Sequence, residues 1–178
     1  MLTGSANFSL RGLYVQANSV LIFDDPGIAE LYEQAFEQAF NDENWFKSSN
    51  IASQWFDSTM NQNTPVSISY APHKTAFPLG TVSQVIDLAK SSVFFAVMET
   101  TGGGSVMPAL KNLSNKNDIL SLGTIEQESQ LSLFKQGKNS GVASFSFLKK
   151  NVSKPFQAKG VEEWDRLYIT NLWYVTLI

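Results

Sequence analysis

Gly4-Ser5-Ala6-Asn7, near the start of this 178-residue chain, is the stretch whose residue types could most directly do chemistry. A serine and an asparagine flank one small residue, and the glycine lets a ligand approach the backbone closely. Such a turn can hold an oxyanion or a phosphate through Ser5 Oγ, the Asn7 amide and neighbouring N–H groups. The same residue types dominate ordinary turns, so these four residues by themselves leave both readings open. Other candidates are weaker. His73, the one histidine, is followed directly by Lys74 and reads as a loop histidine after a strand. Gly102-Gly103-Gly104-Ser105 follows a strand and opens a helix, where a phosphate-cradling loop would sit. It lacks the Lys-Ser/Thr of a P-loop and the spacing of a dinucleotide fingerprint, which favours a structural turn. Glu126 and Glu128 read as solvated loop carboxylates.

Composition narrows the classes. The chain is 43% hydrophobic and 12% aromatic, enough for a real core, and its formal charge of −3 gives no basic footprint for nucleic acid. Zero cysteines exclude a disulfide framework, a thiolate metal site and a cysteine nucleophile, and a single histidine excludes a multi-histidine metal site. No stretch reaches transmembrane length and no leader pattern opens the chain, so the compartment is open, with the cytoplasm as default.

The elements that must position these residues follow from periodicity. Ser19–Phe23 is a short apolar run bounded by Asp24-Asp25-Pro26-Gly27, as expected of a buried strand. Asp25 is a helix N-cap and Pro26 a first helical residue. Ile28, Leu31, Tyr32, Ala35, Phe36, Ala39 and Phe40 then form one apolar, core-facing helix stripe. From Asn41 to Thr64 a polar connector carries Trp45, Phe46, Trp55 and Phe56, expected to pack onto the domain. Val66, Ile68 and Tyr70 alternate with serines and predict a strand with one buried face. Val82, Val85, Ile86 and Ala89 predict a helix, Ser92–Met98 a central strand, and Val106–Leu113 another helix. Asp118–Thr124 and Ser129–Phe134 read as strands, with a polar turn at Gly137-Lys138-Asn139-Ser140-Gly141. This order predicts an α/β layered fold.

The run TGSANFSLRGLYVQANSVLIFDDPGIAELYEQAFEQAF resembles the phospholipase D superfamily downstream of its first catalytic motif. That family's repeat reads H-x-K-x-x-x-x-D, then G-S-x-N, a Gly-Leu, an Asn, a strand, and a helix opened by Asp-Pro. Gly4, Ser5 and Asn7 match the G-S-x-N, and Asn18 matches the later Asn. The stretches APHKTAFPLGTVSQVIDLAKSSVFFAVMETTGGGSVMPAL and NSGVASFSFLKKNVSKPF resemble the opening of a second repeat. Together the likeness covers nearly everything from Thr3 to about Gly160. It implies an α/β layered fold, a mixed sheet flanked by helices, with residues 1–46 as the end of one repeat, 47–65 as connector and 66–160 as the start of another.

The tail, residues 161–178, does not resemble the family. Glu163–Ile178 can be encoded so that the frame starting at the third base of the Glu163 codon reads M-G-Q-V-I-H-H-K-F-V-V-C-D-F-N. This contains the H-x-K-x-x-x-x-D motif where the second repeat should carry it. Two bases of each shifted codon are largely dictated by the protein sequence, so free codon choice alone would rarely produce the motif. The expectation is an out-of-frame tail.

The resemblance implies phosphodiester hydrolysis or transfer. Two H-x-K-x-x-x-x-D motifs meet between repeats; one histidine attacks phosphorus and the other protonates the leaving alcohol, then activates water. The lysines and the G-S-x-N asparagines hold the phosphate oxygens. No metal or other cofactor is implied. Here Gly4, Ser5, Asn7 and Asn18 match phosphate-contacting positions, and no catalytic residue is matched. His73-Lys74 lacks the H-x-K spacing. The expectation is an inactive fragment of an enzyme, with a phospholipid favoured over nucleic acid as the intact protein's substrate. A second expectation is a non-catalytic module or degenerate remnant that binds a partner chain, or itself, through an exposed repeat interface.

Overall fold

Asp25 and Pro26 start a helix where their chemistry dictates. Residues 1–10, 18–58, 66–97, 100–151 and 174–177 are described by the computed structural model of the chain. Two compact units emerge, one made of Met1–Gly4 with Val20–Pro78, the other of Ser5–Ser19 with Leu79–Ile178.

In the first unit, β1 (Leu2–Gly4) pairs antiparallel with β2 (Val20–Ile22), Leu2 opposite Ile22 and Gly4 opposite Val20. The apolar run at Ser19–Phe23 thus forms a strand, but not the buried one expected. Val20, Leu21 and Ile22 are 57%, 55% and 77% exposed, because β1 satisfies their backbone while the core cluster of this unit does not include their side chains.

Helix α1 (Pro26–Asn41) carries the expected cap: Asp25 is extended, and its Oδ1 accepts from the Ile28 N–H at 3.2 Å. Ile28 and Ala35 are buried, and Leu31, Tyr32 and Ala39 pack against the cluster of Phe46, Ile51, Ala52 and Tyr70. Phe36 and Phe40 correct the sequence reading. At roughly 80° and 120° around the helix from Ile28, they fall off the buried face and stack on each other in solvent, ring centres 5.8 Å apart. The connector folds into a short helix, α2 (Glu43–Phe46), and β3 (Phe56–Asp57). Phe46 is buried while Trp45 is exposed, so the connector's aromatics pack only in part. β3 pairs antiparallel with β4 (Ser67–Ile68), Phe56 opposite Ile68.

Tyr70 sits edge-on to Tyr32 at 5.1 Å and to Phe56 at 6.1 Å, 8% exposed, its hydroxyl without a hydrogen-bond partner among the described residues. Burial first, and the neighbouring Tyr32 second, push its phenol up to about 12. A buried hydroxyl without a partner carries a desolvation penalty, so Tyr70→Phe is expected to leave urea stability unchanged or raise it by about 1 kcal/mol. The phenol ionises near 10 in the unfolded chain but near 12 in the fold. Unfolding therefore releases its proton in that window, and stability falls as pH rises through it. Tyr70→Phe should flatten that fall. A loss above about 1 kcal/mol in Tyr70→Phe would contradict an unbonded hydroxyl.

The second unit is built on a four-stranded mixed sheet. Helix α3 (Phe77–Asp87) leads to β5 (Ser92–Val97), then α4 (Val106–Asn112), a single 3₁₀ turn at Leu113–Asn115, and β6 (Leu120–Ile125). A second 3₁₀ segment, Glu128–Leu133, is followed by β7 (Ser140–Ser144), α5 (Phe145–Asn151) and β8 (Tyr174–Leu177). The strand order is β7-β6-β5-β8, with β5, β6 and β7 parallel and β8 antiparallel to β5. The chain is thus mixed α/β, and β5 is internal, as its continuous apolar character predicts.

Val93, Phe95 and Val97 face a core shared with Ile86, Val106, Met107, Ala109, Leu110, Leu113, Ile119, Ile125 and Phe134. Three expectations need correction here. Val85 lies on the outer side of α3, 44% exposed, while Ile86 takes the core position. Ser129–Phe134 is not a strand but largely 3₁₀, because Leu131 and Phe134, three residues apart, both reach the core. The polar turn closes early, with Gly137 bridging Ser140, and β7 begins inside the stretch read as turn. Gln136 then protects the edge of β7: its Oε1 accepts from the Val142 N–H at 3.0 Å and its Nε2 donates to the Val142 carbonyl at 3.1 Å. Pro155–Gly160 and most of the tail lie outside the described residues.

Candidate phosphate site

The Gly4–Asn7 turn begins where β1 ends. Ser5 continues the ladder, its N–H donating to the Ser19 carbonyl at 3.0 Å. Its hydroxyl donates to Asn18 Oδ1 at 3.0 Å and accepts from the Ser19 N–H at 3.1 Å. The fold therefore brings Ser5 and Asn18 together across 13 residues. Asn7 is exposed, its carbonyl accepting from the Ser9 N–H at 2.8 Å and its side chain making no hydrogen bond among the described residues.

This arrangement divides the labour. A serine hydroxyl has one proton, and here Asn18 takes it. The lone pair left on Ser5 Oγ repels a phosphate oxygen. Ser5 and Asn18 therefore clasp the turn, and the Asn7 amide is the donor turned to solvent. Among the described residues no Lys, Arg or His is hydrogen-bonded to Ser5 or Asn7. The part played by Ser19, whose N–H and carbonyl both hold Ser5, was not anticipated; its position beside Asn18 was the available signal.

A comparison with family models, with characterised proteins and with solved structures found no match. The functional reading therefore stands on the residues themselves.

The remaining candidates resolve into structure. His73 Nδ1 lies 2.7 Å from the Ala52 carbonyl, which can only accept, so Nδ1 carries a proton there, and Nε2 lies 3.4 Å from Ser69 Oγ. With its ring edge-on to Phe77 at 5.1 Å, His73 ties a loop down. In the glycine-rich loop, Gly102 and Gly104 have φ of 76° and 51°, and a Cβ on Gly104 would meet Leu79 Cδ1 at 3.0 Å. Ser105 Oγ donates to the Leu79 carbonyl at 3.2 Å. The loop is a tight structural turn. Glu128 accepts from Ser146 Oγ at 3.3 Å. Among the described residues no group of three His, Asp or Glu side chains could hold a metal ion, and no helix is long and apolar enough to cross a membrane.

Proposed function

We propose that this chain carries parts of two repeats of a phospholipase D-like phosphodiesterase, with Asn7 as a phosphate-contacting donor of one site and Gly4, Ser5 and Asn18 forming the turn that presents it. The supporting observation is the hydrogen bond between Ser5 and Asn18 at 3.0 Å. The antiparallel pairing of β1 with β2, Gly4 opposite Val20, brings Ser5 to Asn18, and these are two positions that the family pattern also links. Asn7 then donates to a non-bridging phosphate oxygen, while Ser5 and Asn18 hold the turn in place. The intact enzyme would cleave or transfer a phosphodiester, a phospholipid rather than nucleic acid, with histidine and lysine pairs that this chain does not match. The mixed sheet and its helices are in keeping with a layered repeat.

Because the chain matches no H-x-K-x-x-x-x-D motif, and so neither the nucleophile nor the general acid of the family pattern, it is expected not to release p-nitrophenolate from bis-p-nitrophenyl phosphate above the rate in buffer. Turnover that disappears in Asn7→Ala would overturn this and make the turn itself catalytic.

A second reading, a non-catalytic module that associates with itself, is favoured by the exposed apolar side chains of Leu2, Val20, Leu21, Ile22, Phe36 and Phe40 in the first unit. Light scattering that stays monomeric on concentration would count against it.

A further inference from the structure

We propose that the recess at the entrance to β6 and β7 binds a protonated phosphate group, either inorganic phosphate or a small phosphomonoester. β6 and β7 are parallel neighbours, Ser121 opposite Ser140, so the loops leading into them meet at one end of the sheet. Between these loops lies a cavity of about 260 Å³ lined by Ser114, Lys116, Asn117, Lys138, Asn139 and Ser140. The two loops are fastened by Asn139 Nδ2, which donates to the Asn117 carbonyl at 2.5 Å. Two lysines line the recess and no carboxylate does.

The groups already engaged decide the chemistry. Lys116 Nζ donates to the Asp87 carbonyl at 2.7 Å and lies 3.8 Å from Asp87 Oδ1, so one carboxylate offsets part of its charge. An ammonium has three protons, which leaves Lys116 free to donate again. Lys138 makes no hydrogen bond or ion pair among the described residues. Ser114 Oγ donates to the Lys111 carbonyl at 3.0 Å and Ser140 Oγ to the Lys135 carbonyl at 3.3 Å. Both hydroxyls therefore present lone pairs, not protons, to an occupant. The best partner has anionic oxygens for the two ammonium groups and a hydroxyl for the two serines. A phosphate retaining one P–OH meets that description. Sulfate and a phosphodiester, both without an acidic proton at neutral pH, do not. The cavity is too small for more than a phosphate and a short appendage.

The inference uses no residue of the Gly4–Asn7 turn and is independent of the reading above. Its test is calorimetric titration of the whole chain with inorganic phosphate, glycerol 3-phosphate and sulfate at low ionic strength and about pH 6, where about half of a phosphomonoester keeps its P–OH. Saturable binding is expected for one or both phosphate compounds, at least about tenfold tighter than for sulfate. Binding of both identifies the terminal phosphate group as the ligand, whereas binding of inorganic phosphate alone identifies the free ion. Lys138→Gln and Lys116→Gln should each weaken binding about tenfold, while Asn7→Ala and Lys74→Gln should leave it unchanged. Because Lys138 makes no hydrogen bond or ion pair among the described residues, Lys138→Gln should unfold at the parent's temperature. Equal affinity for sulfate, no binding, or full affinity in Lys138→Gln would overturn the proposal. Loss of binding in Asn7→Ala would move the site to the Gly4–Asn7 turn and overturn it equally.

Discussion

Replacing Gly123 by alanine is expected to destabilise the second unit by about 3 kcal/mol or more. Gly123 in β6 lies opposite Phe95 in β5, and the phenylalanine ring lies over it. A Cβ built on Gly123 would sit 2.2 Å from Phe95 Cζ and 2.3 Å from Cε2, inside any tolerable contact. The ring has little room to move, because Phe95 is 4% exposed and faces Phe134 at 5.7 Å. Close-packed interiors relieve such overlaps only by shifting backbone or forcing poor rotamers. Phe95→Leu should itself cost about 1 to 2 kcal/mol, yet in the Gly123→Ala background it should restore stability. Chemical denaturation of the two single variants and the double variant measures this coupling. Losses that simply add would show that the ring and the glycine do not share space.

Removing the carboxylate of Asp25 should cost the first unit about 2 to 3 kcal/mol. One oxygen caps α1 through the Ile28 N–H at 3.2 Å, and the other accepts from Ser58 Oγ at 2.7 Å across 33 residues. Asp25 is 6% exposed, so water cannot easily replace either partner. Asp25→Ala therefore loses a cap worth about 1 kcal/mol and leaves the Ser58 hydroxyl without its charged acceptor. Asp25→Asn keeps oxygen for one partner and should lose roughly half as much. Urea unfolding of both variants is the check. A loss below about 0.5 kcal/mol in Asp25→Ala would mean that the cap and the Ser58 contact contribute nothing.

These two positions differ in how far the sequence reveals them. Asp25-Pro26 announces a helix start by local chemistry alone, and α1 begins there. That Asp25 also anchors Ser58 could not be read, since the contact depends on how the connector folds back. The Phe95–Gly123 pairing was equally hidden, because a glycine within an apolar run gives no sign of which ring will cover it. Periodicity located α1, α3, β5, α4 and β6 but overstated burial at the stripe margins, at Phe36, Phe40 and Val85. It failed at Ser129–Phe134, read as a strand, where Glu128–Leu133 forms a 3₁₀ segment that turns Leu131 and Phe134 to the core. At the candidate site, Gly4, Ser5, Asn7 and Asn18 were legible as types and spacing. The direction of the Ser5 hydroxyl, which makes it a clasp and leaves Asn7 as donor, needed the geometry.

The central claim is kinship with phospholipase D-like enzymes, and the nucleotide sequence spanning the codons of Pro155 to Ile178 tests it most directly. The account predicts that the frame beginning at the third base of the Glu163 codon encodes H-H-K-F-V-V-C-D, or another H-x-K-x-x-x-x-D, followed downstream by a second G-S-x-N. A shifted frame that encodes no such motif would contradict it.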